Sequence, residues 1–434
     1  MKPNRREFLA TMAAAAALPG CGFEPGPEPE LPWDPEGSED EDLFPRGLQI
    51  GDATADSAIA QVHTTEPDVV FELARGTNKG WQSVATLEAD ADDDVAQLEL
   101  KDLEADTTYS IVARQVDGDA RSSVTRFRTA PPQGGSRVVR FGATSCMGGN
   151  FPWESLSRAG EEQLDCFLLL GDTIYNDWWS GTLDEKWAFA LEQQGMRDLS
   201  ASTSFIATWD DHEVRNNWNP STQSVLAKDA CKAFKRGIPQ REGQGEYEIW
   251  RSLRWGNAVE FFVLDCRGER SDNQYLSDDQ MEWFETALTD SPARFKVVLN
   301  SVPITDLSSF GSIGETMATD RWQGYPESRD RILQHIADSG IEGVLWVSGD
   351  FHVGAVSKVD ASGGIAEDSW EVLTGPGGSP IDDLYSLVPE TDRMPAVVTT
   401  HNYVLFRCNP DNGQVIVRFI ADDGTELRRL ALQL

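Results

Sequence analysis

Phe167-Leu168-Leu169-Leu170-Gly171-Asp172-Thr173-Ile174-Tyr175 sets four apolar residues directly before a glycine, a carboxylate and, three positions on, a phenol. An unbroken apolar run of strand length fits a strand covered on both faces, as in a sheet between layers. The same texture recurs at residues 138–141 upstream and at 205–209, 259–264, 295–299 and 344–347 downstream. Helical patterning lies between, at 278–289 and 327–339. The alternation predicts a layered α/β domain over residues 137–434.

The residues just past the end of each run carry the chemistry. In chain order they are Cys146; Gly171-Asp172; Asp210-Asp211-His212; Asp265; Asn300; and Ser348-Gly349-Asp350-Phe351-His352. Ligand-type side chains at the carboxyl ends of several α/β strands mark the usual place of a site. A single such Asp is as well explained by a helix cap or a turn; six together are not.

The donor types divide in two. Cys146, Tyr175 and His352 offer thiolate, phenolate and imidazole, which suit a Lewis-acidic transition metal such as ferric iron. Asp211 and Asp350 offer hard oxygens suited to Ca²⁺, Mg²⁺ or Mn²⁺, and Asn300 is either a further such donor or a satisfied strand-end amide. Asp172 is placed to bridge the two. Either Asp210 or Asp211 can be the ligand; strand alternation and adjacency to His212 favour Asp211. Paired cations of this kind clamp the attacking and leaving oxygens of a phosphoryl displacement. Arg215, Arg267 and Arg321 are candidates for a phosphate clamp, the glycine-rich turn at 375–379 for a phosphate nest, and the stretch 308–324 for a loop over the pocket. Cys166, Cys266, His63 and His335 read as structural.

Gly171-Asp172-Thr173-Ile174-Tyr175, Trp209-Asp210-Asp211-His212-Glu213 and Gly349-Asp350-Phe351-His352 resemble the motifs of PhoD-type alkaline phosphatases, relatives of the purple acid phosphatases. Leu264-Asp265-Cys266-Arg267, Gln280 with Trp283, and Asp320-Arg321-Trp322-Gln323-Gly324-Tyr325 match too. The resemblance implies an α/β-sandwich metallophosphoesterase domain and hydrolysis of phosphate esters by metal-activated water. It implies ferric iron (Fe³⁺) on Cys146, Asp172, Tyr175 and His352, calcium (Ca²⁺) on Asp172, Asp211 and Asp350, and His212 as the catalytic group beside the phosphate.

Residues 46–130 have a different texture, period-two strands separated by turns, which predicts a small β-sandwich. Leu103-Glu104-Ala105-Asp106-Thr107-Thr108-Tyr109 resembles the tyrosine corner of fibronectin type III domains, with Tyr109 bonding upstream backbone. Pro131-Pro132-Gln133-Gly134-Gly135 reads as a hinge between the two. Residues 22–45, rich in Pro and acidic residues, read as a disordered tether. Before them, Arg5-Arg6 ahead of a short apolar run at 12–18 has the form of a twin-arginine export signal over residues 1–21, too short to span a bilayer. Leu18-Pro19-Gly20-Cys21 resembles a lipoprotein cleavage box. The expected product is a periplasmic or cell-surface monomer, touching membrane only through a lipid on Cys21.

Removing Cys21 from the six cysteines leaves five, an odd number, so at least one thiol stays unpaired. The formal net charge of −35, from 72 acidic against 37 basic residues, repels nucleic acid and long polyanions and favours a small phosphate ester as substrate. The competing reading is a surface-anchored binding or adhesion lipoprotein with an inactive phosphatase-like domain. Such a relative is expected to lack one of the donors, and none is missing.

Overall fold

The computed structural model describes residues 29, 31–307, 320–382 and 387–434. The segment read as an export signal, Cys21 and most of the stretch 308–324 lie outside the described residues.

The N-terminal module is a two-layered β structure. Its strands are Leu48–Gly51, Ala58–His63, Asp68–Thr77, Gly80–Asp92, Val95–Leu100, Thr108–Gln115 and Thr125–Arg128, and Gly80–Asp92 is shared by the two layers. Two of these were not legible. Gly80–Asp92 buries none of its residues fully and so shows no apolar pattern, while Leu48–Gly51 is only four residues long. The Tyr109 hydroxyl accepts the Glu104 backbone N–H at 2.8 Å, closing the corner on upstream backbone.

The structure corrects the tether over residues 31–45. Trp81 Nε1 donates to the Leu31 carbonyl, Ser38–Glu39 pairs with Ala120–Arg121, and Phe44 is buried. One apolar anchor and a few backbone bonds are enough to hold a stretch whose average composition reads as disordered.

The linker is likewise no loose hinge. Pro131 is buried and the Gly135 carbonyl accepts the Asn257 N–H at 2.7 Å. Two buried ion-pair networks bind module to body. Asp52 receives Arg251 at 2.7 and 2.8 Å, and Arg137 joins Asp106 to Asp165, each at 2.7 Å. Gly51 also sits beside Phe205, so the module's sheet runs on into the body.

The body is two mixed sheets packed face to face. The first runs Ser204–Thr208, Cys166–Leu170, Val139–Thr144, Asn402–Asn409, Gln414–Ala421, Glu426–Gln433. The second runs Arg251–Trp255, Val259–Val263, Phe295–Leu299, Val344–Ser348, Trp370–Leu373, Gly354–Lys358, Ala396–Val398. Between them Phe141 stacks on Phe406 at 4.6 Å and meets Phe261 edge-on at 5.3 Å. Helices Asp278–Asp290 and Pro326–Asp338 cover the outer face of the second sheet, sharing a core with Phe262 and Trp346. All six apolar runs are strands, and within each sheet they lie parallel. Their carboxyl ends therefore gather at one rim.

His63 supplies a test of the module's packing. Burial, then the Arg46 and Arg236 charges, hold its imidazole down to about 3 from 6.5. Between those values the unfolded chain binds a proton that the folded chain refuses, so this contribution to stability falls as pH falls. At pH 4 the loss is about 3 kcal/mol. The melting temperature of His63→Gln is expected to fall less between pH 7 and 4 than that of the wild type; parallel slopes would count against a buried neutral imidazole.

A candidate metal centre at the strand ends

Four residues at the rim hold left-handed backbone: Cys146 (φ 57°), Asp172 (φ 55°), Asp350 (φ 68°) and His352 (φ 52°). Non-glycine residues in this region cost of order 1–3 kcal/mol each and cluster where function requires them. Here each turns a strand end sharply so that its side chain faces the same space. Gly171 makes room for this. A Cβ at that position would lie 2.4 Å from the Asp210 Cβ, so a side chain would push the two loops apart.

Cys146 Sγ lies 3.6 Å from Asp172 Oδ2, and the Tyr175 hydroxyl lies 3.2 Å from the same oxygen and 3.0 Å from His352 Nε2. Three sets of donors each fall within 4.8 Å of one another: Cys146, Asp172 and His352; Asp172, Asp211 and His212; Asp210, Asp211 and Asp350. Asp172 belongs to two of the sets. The structure thus brings together all seven residues expected at the site.

Fixed backbone holds the donors in place. The Glu213 carboxylate, fully buried, accepts the N–H groups of Asp172, Thr173 and Asp210 at 2.9, 2.7 and 2.9 Å. The glycine-rich turn at 375–379 is a brace and not a phosphate nest. The N–H groups of Gly377, Gly378 and Ser379 are spent on the Ser145 and Cys146 carbonyls. The Ser379 hydroxyl donates to the Tyr175 oxygen at 2.7 Å and accepts the Gly148 N–H at 2.8 Å.

Asp210 and Asp211 have different surroundings. Both Asp210 oxygens are occupied, by Arg267 at 2.6 and 3.1 Å and by Ser301 at 2.8 Å. Asp211 Oδ2 accepts the Asn217 N–H at 2.6 Å, while its Oδ1 is buried with no hydrogen-bond partner among the described residues. A buried unpartnered carboxylate oxygen is costly unless something positive meets it.

The electrostatics point the same way. Burial, then the charges of Cys146 and Asp211, push the Asp172 carboxyl well above the usual range. Burial takes the Cys146 thiol to about 12, with the Ser145 hydrogen bond opposing and Asp350 and Asp210 adding to the rise. Burial and Asp172 raise the Tyr175 phenol as well. Acids crowded in this way hold their protons until a cation takes their place, so the donor set fits metal binding.

Not every expected donor reaches the space. Asn300 Oδ1 accepts Trp322 Nε1 at 2.8 Å, so Asn300 is a satisfied strand-end amide. Asp265 ties a turn together, accepting Trp209 Nε1 at 2.8 Å and the Gly268 N–H at 2.6 Å. Of the three arginines, Arg267 is fully buried and spent on Asp210, Asp320 and Asp350, Arg321 is buried, and Arg215 is exposed.

One neighbour of His212 was missed. Asp177 Oδ1 lies 2.6 Å from His212 Nδ1, and its Oδ2 accepts the Asn216 N–H at 3.0 Å. Burial raises the Asp177 carboxyl, but the His212 hydrogen bond and charge outweigh this and hold it below its usual range. Asp177 follows Tyr175 by two residues, yet an Asp in a loop carries no distinguishing pattern.

Comparisons with known proteins identify the family of the chain. A model of the PhoD-like phosphatase family matches residues 141–425. Alkaline phosphatase D of Bacillus subtilis (strain 168) is 23% identical over 295 residues, 56% of this chain and 51% of that protein, so the match spans about half the relative's length. A solved structure of PhoD superposes with a TM-score of 0.76 at 20% identity, covering 90% of this chain and 88% of that one. A purple acid phosphatase from yellow lupin (Lupinus luteus) seeds gives 0.63 at 14% identity, covering 89% and 73% respectively. The mixed two-sheet architecture is theirs, and the chain belongs to the PhoD-like phosphatase family.

Proposed function

We propose that the chain is an exported alkaline phosphatase or phosphodiesterase that hydrolyses small phosphate esters at a two-metal site. One observation carries this reading: Cys146, Asp172, Tyr175, Asp211, Asp350 and His352 meet at one rim, four of them on left-handed backbone, with one carboxylate oxygen to spare. Cys146, Asp172, Tyr175 and His352 would hold ferric iron, and Asp172, Asp211 and Asp350 calcium. When bound, the ions would draw charge from the phosphoryl oxygens and make a water nucleophilic.

The chain's own groups do the rest. As water attacks phosphorus and the ester P–O bond breaks, the leaving oxygen needs a proton. His212 lies at the rim with Nδ1 held by Asp177, which leaves Nε2 to face the ester. His212 gives its Nε2 proton to the departing oxygen, and Asp177 holds the ring in place through Nδ1. Glu213 and the 375–379 turn keep the donors from moving as charge shifts.

The export reading is supported by the twin-arginine pattern, and the five described cysteines, all buried and unpaired, are compatible with it. Thiols enclosed before crossing the membrane stay reduced in an oxidising compartment. No helix of the described residues is long and apolar enough to cross a membrane; the membrane attachment in this reading is a lipid on Cys21.

The test is metal analysis of the purified protein alongside turnover of a chromogenic monoester and diester. Iron and calcium in near-equal amounts with cleavage of either ester are expected. Both metals present without cleavage would overturn the phosphatase reading. Ferric phenolate absorbs visible light, so the holo-protein is expected to be coloured and Tyr175→Phe colourless. A colourless, iron-free but active wild type would remove iron from the assignment.

A further inference from the structure

The segment after Tyr175 leads out of the centre along a row of exposed aromatic rings. It is fastened to the turn that carries His212. The Asn176 N–H donates to the His212 carbonyl at 2.9 Å, its amide donates to the Val214 carbonyl at 2.9 Å, and Lys186 Nζ donates to Asn176 at 2.5 and 2.7 Å. The rings next in the chain are therefore held in a fixed relation to the catalytic group.

Trp178 is 42% exposed, with its ring 4.1 Å from Tyr175 and 5.5 Å from His212. Beyond it, Trp179, Phe151 and Phe189 are 37, 38 and 44% exposed and contact one another at 4.8–5.9 Å. Large rings that pack together and still face solvent are the mark of a surface awaiting an apolar partner. Its inner ring, Trp178, lies against the histidine that meets the leaving oxygen and is followed directly in the chain by Trp179, so the nearest partner is whatever that oxygen belongs to. A net charge of −35 opposes an anionic bilayer or polymer as that partner, whereas a compact planar group brings no charge of its own to the shelf. Flat faces of indole and phenyl rings favour stacking on another flat ring.

We propose that this shelf binds a planar aromatic leaving group, making the enzyme selective for aryl and other ring-bearing phosphate esters. This rests on the phosphatase reading above. Stacking of one ring on one aromatic side chain is typically removed by alanine at a cost of tenfold or more in binding. Trp179 and Phe151 stand clear of the metal donors, so their replacement tests the shelf and not the centre.

The experiment compares kcat/KM for 1-naphthyl phosphate with that for glycerol 1-phosphate in wild type, Trp179→Ala, Phe151→Ala and the conservative Trp179→Phe. Both esters are used with every variant, so leaving-group chemistry cancels from the comparison. The naphthyl-to-glycerol ratio is expected to fall about tenfold in each alanine variant, chiefly through KM, and to stay within about threefold of wild type in Trp179→Phe. A ratio that does not change overturns the shelf while leaving the phosphatase intact. Failure of the wild type to cleave either ester, with metals bound, overturns the phosphatase reading itself. Sedimentation with phosphatidylcholine vesicles that Trp179→Ala abolishes, at an unchanged ratio, would make the shelf a membrane dock and overturn the substrate assignment.

Discussion

Asp172→Asn is expected to lower ester turnover by at least about a thousandfold and to leave the protein short of both metals. Asp172 belongs to two of the three donor sets, one containing Cys146 and His352 and the other Asp211 and His212, and is the carboxylate that joins the sulfur-bearing set to the rest. Asparagine keeps the shape and one oxygen, enough for the His212 N–H that Asp172 Oδ1 now accepts at 3.2 Å. What it lacks is the charge and the second oxygen needed to serve two cations at once. Cation assistance to phosphoryl transfer is worth several kcal/mol, and each 1.4 kcal/mol is tenfold in rate, which sets the size of the effect. Folding should move the other way. Burial and its neighbours already push the Asp172 carboxyl toward the neutral form, so removing its charge relieves repulsion in the metal-free protein. The melting temperature of metal-free Asp172→Asn is expected to equal or exceed that of metal-free wild type. Elemental analysis and kcat measured on one preparation decide the matter. Full metal content in the variant would remove Asp172 from the bridging position.

The donors were legible because each comes directly after an apolar strand, and the sheet then has only one rim at which to place them. The same logic does not extend to Asp265, and at Asn300 the structure selects the strand-end amide of the two readings. Both sit at strand ends, but tryptophan N–H groups, from Trp209 and Trp322, reach them first. A sequence shows which residues end a strand and not which distant donor will satisfy them. Glu213 lay inside a quoted motif without any sign that it would collect three backbone N–H groups, because backbone direction is set only once the Asp172 and Asp210 loops are folded together. Asp177 depended on a loop conformation with no periodic signature. Of the antiparallel strands Asn402–Asn409, Gln414–Ala421 and Glu426–Gln433, the last two escaped for another reason: Gln414–Ala421 alternates buried with half-exposed residues and Glu426–Gln433 buries only Leu432, weaker signals than a solid apolar run.

Arg267→Met is expected to destabilise the fold by about 3–5 kcal/mol, the usual result of removing one partner from a buried ion-pair network. Arg267 is fully buried and faces Asp210 at 2.6 Å, Asp320 at 2.7 Å and Asp350 at 3.3 Å. Methionine fills much of the same volume, so the loss is of counter-charge more than of packing. Asp320 keeps Arg270 at 2.8 Å, but Asp210 keeps only the Ser301 hydroxyl and becomes the stranded charge. Asp210→Asn in the same chain should therefore recover part of the loss, and a double-mutant cycle measures how much. The adjacent carboxylate separates two roles that the sequence leaves side by side. Asp211→Asn removes an oxygen that lacks a protein partner and should cost metal and activity with little stability. Asp210→Asn alone should cost stability while much of the metal remains. If metal content instead follows Asp210 and is indifferent to Asp211, the arginine is no structural counter-ion, and the assignment of the second cation moves to Asp210.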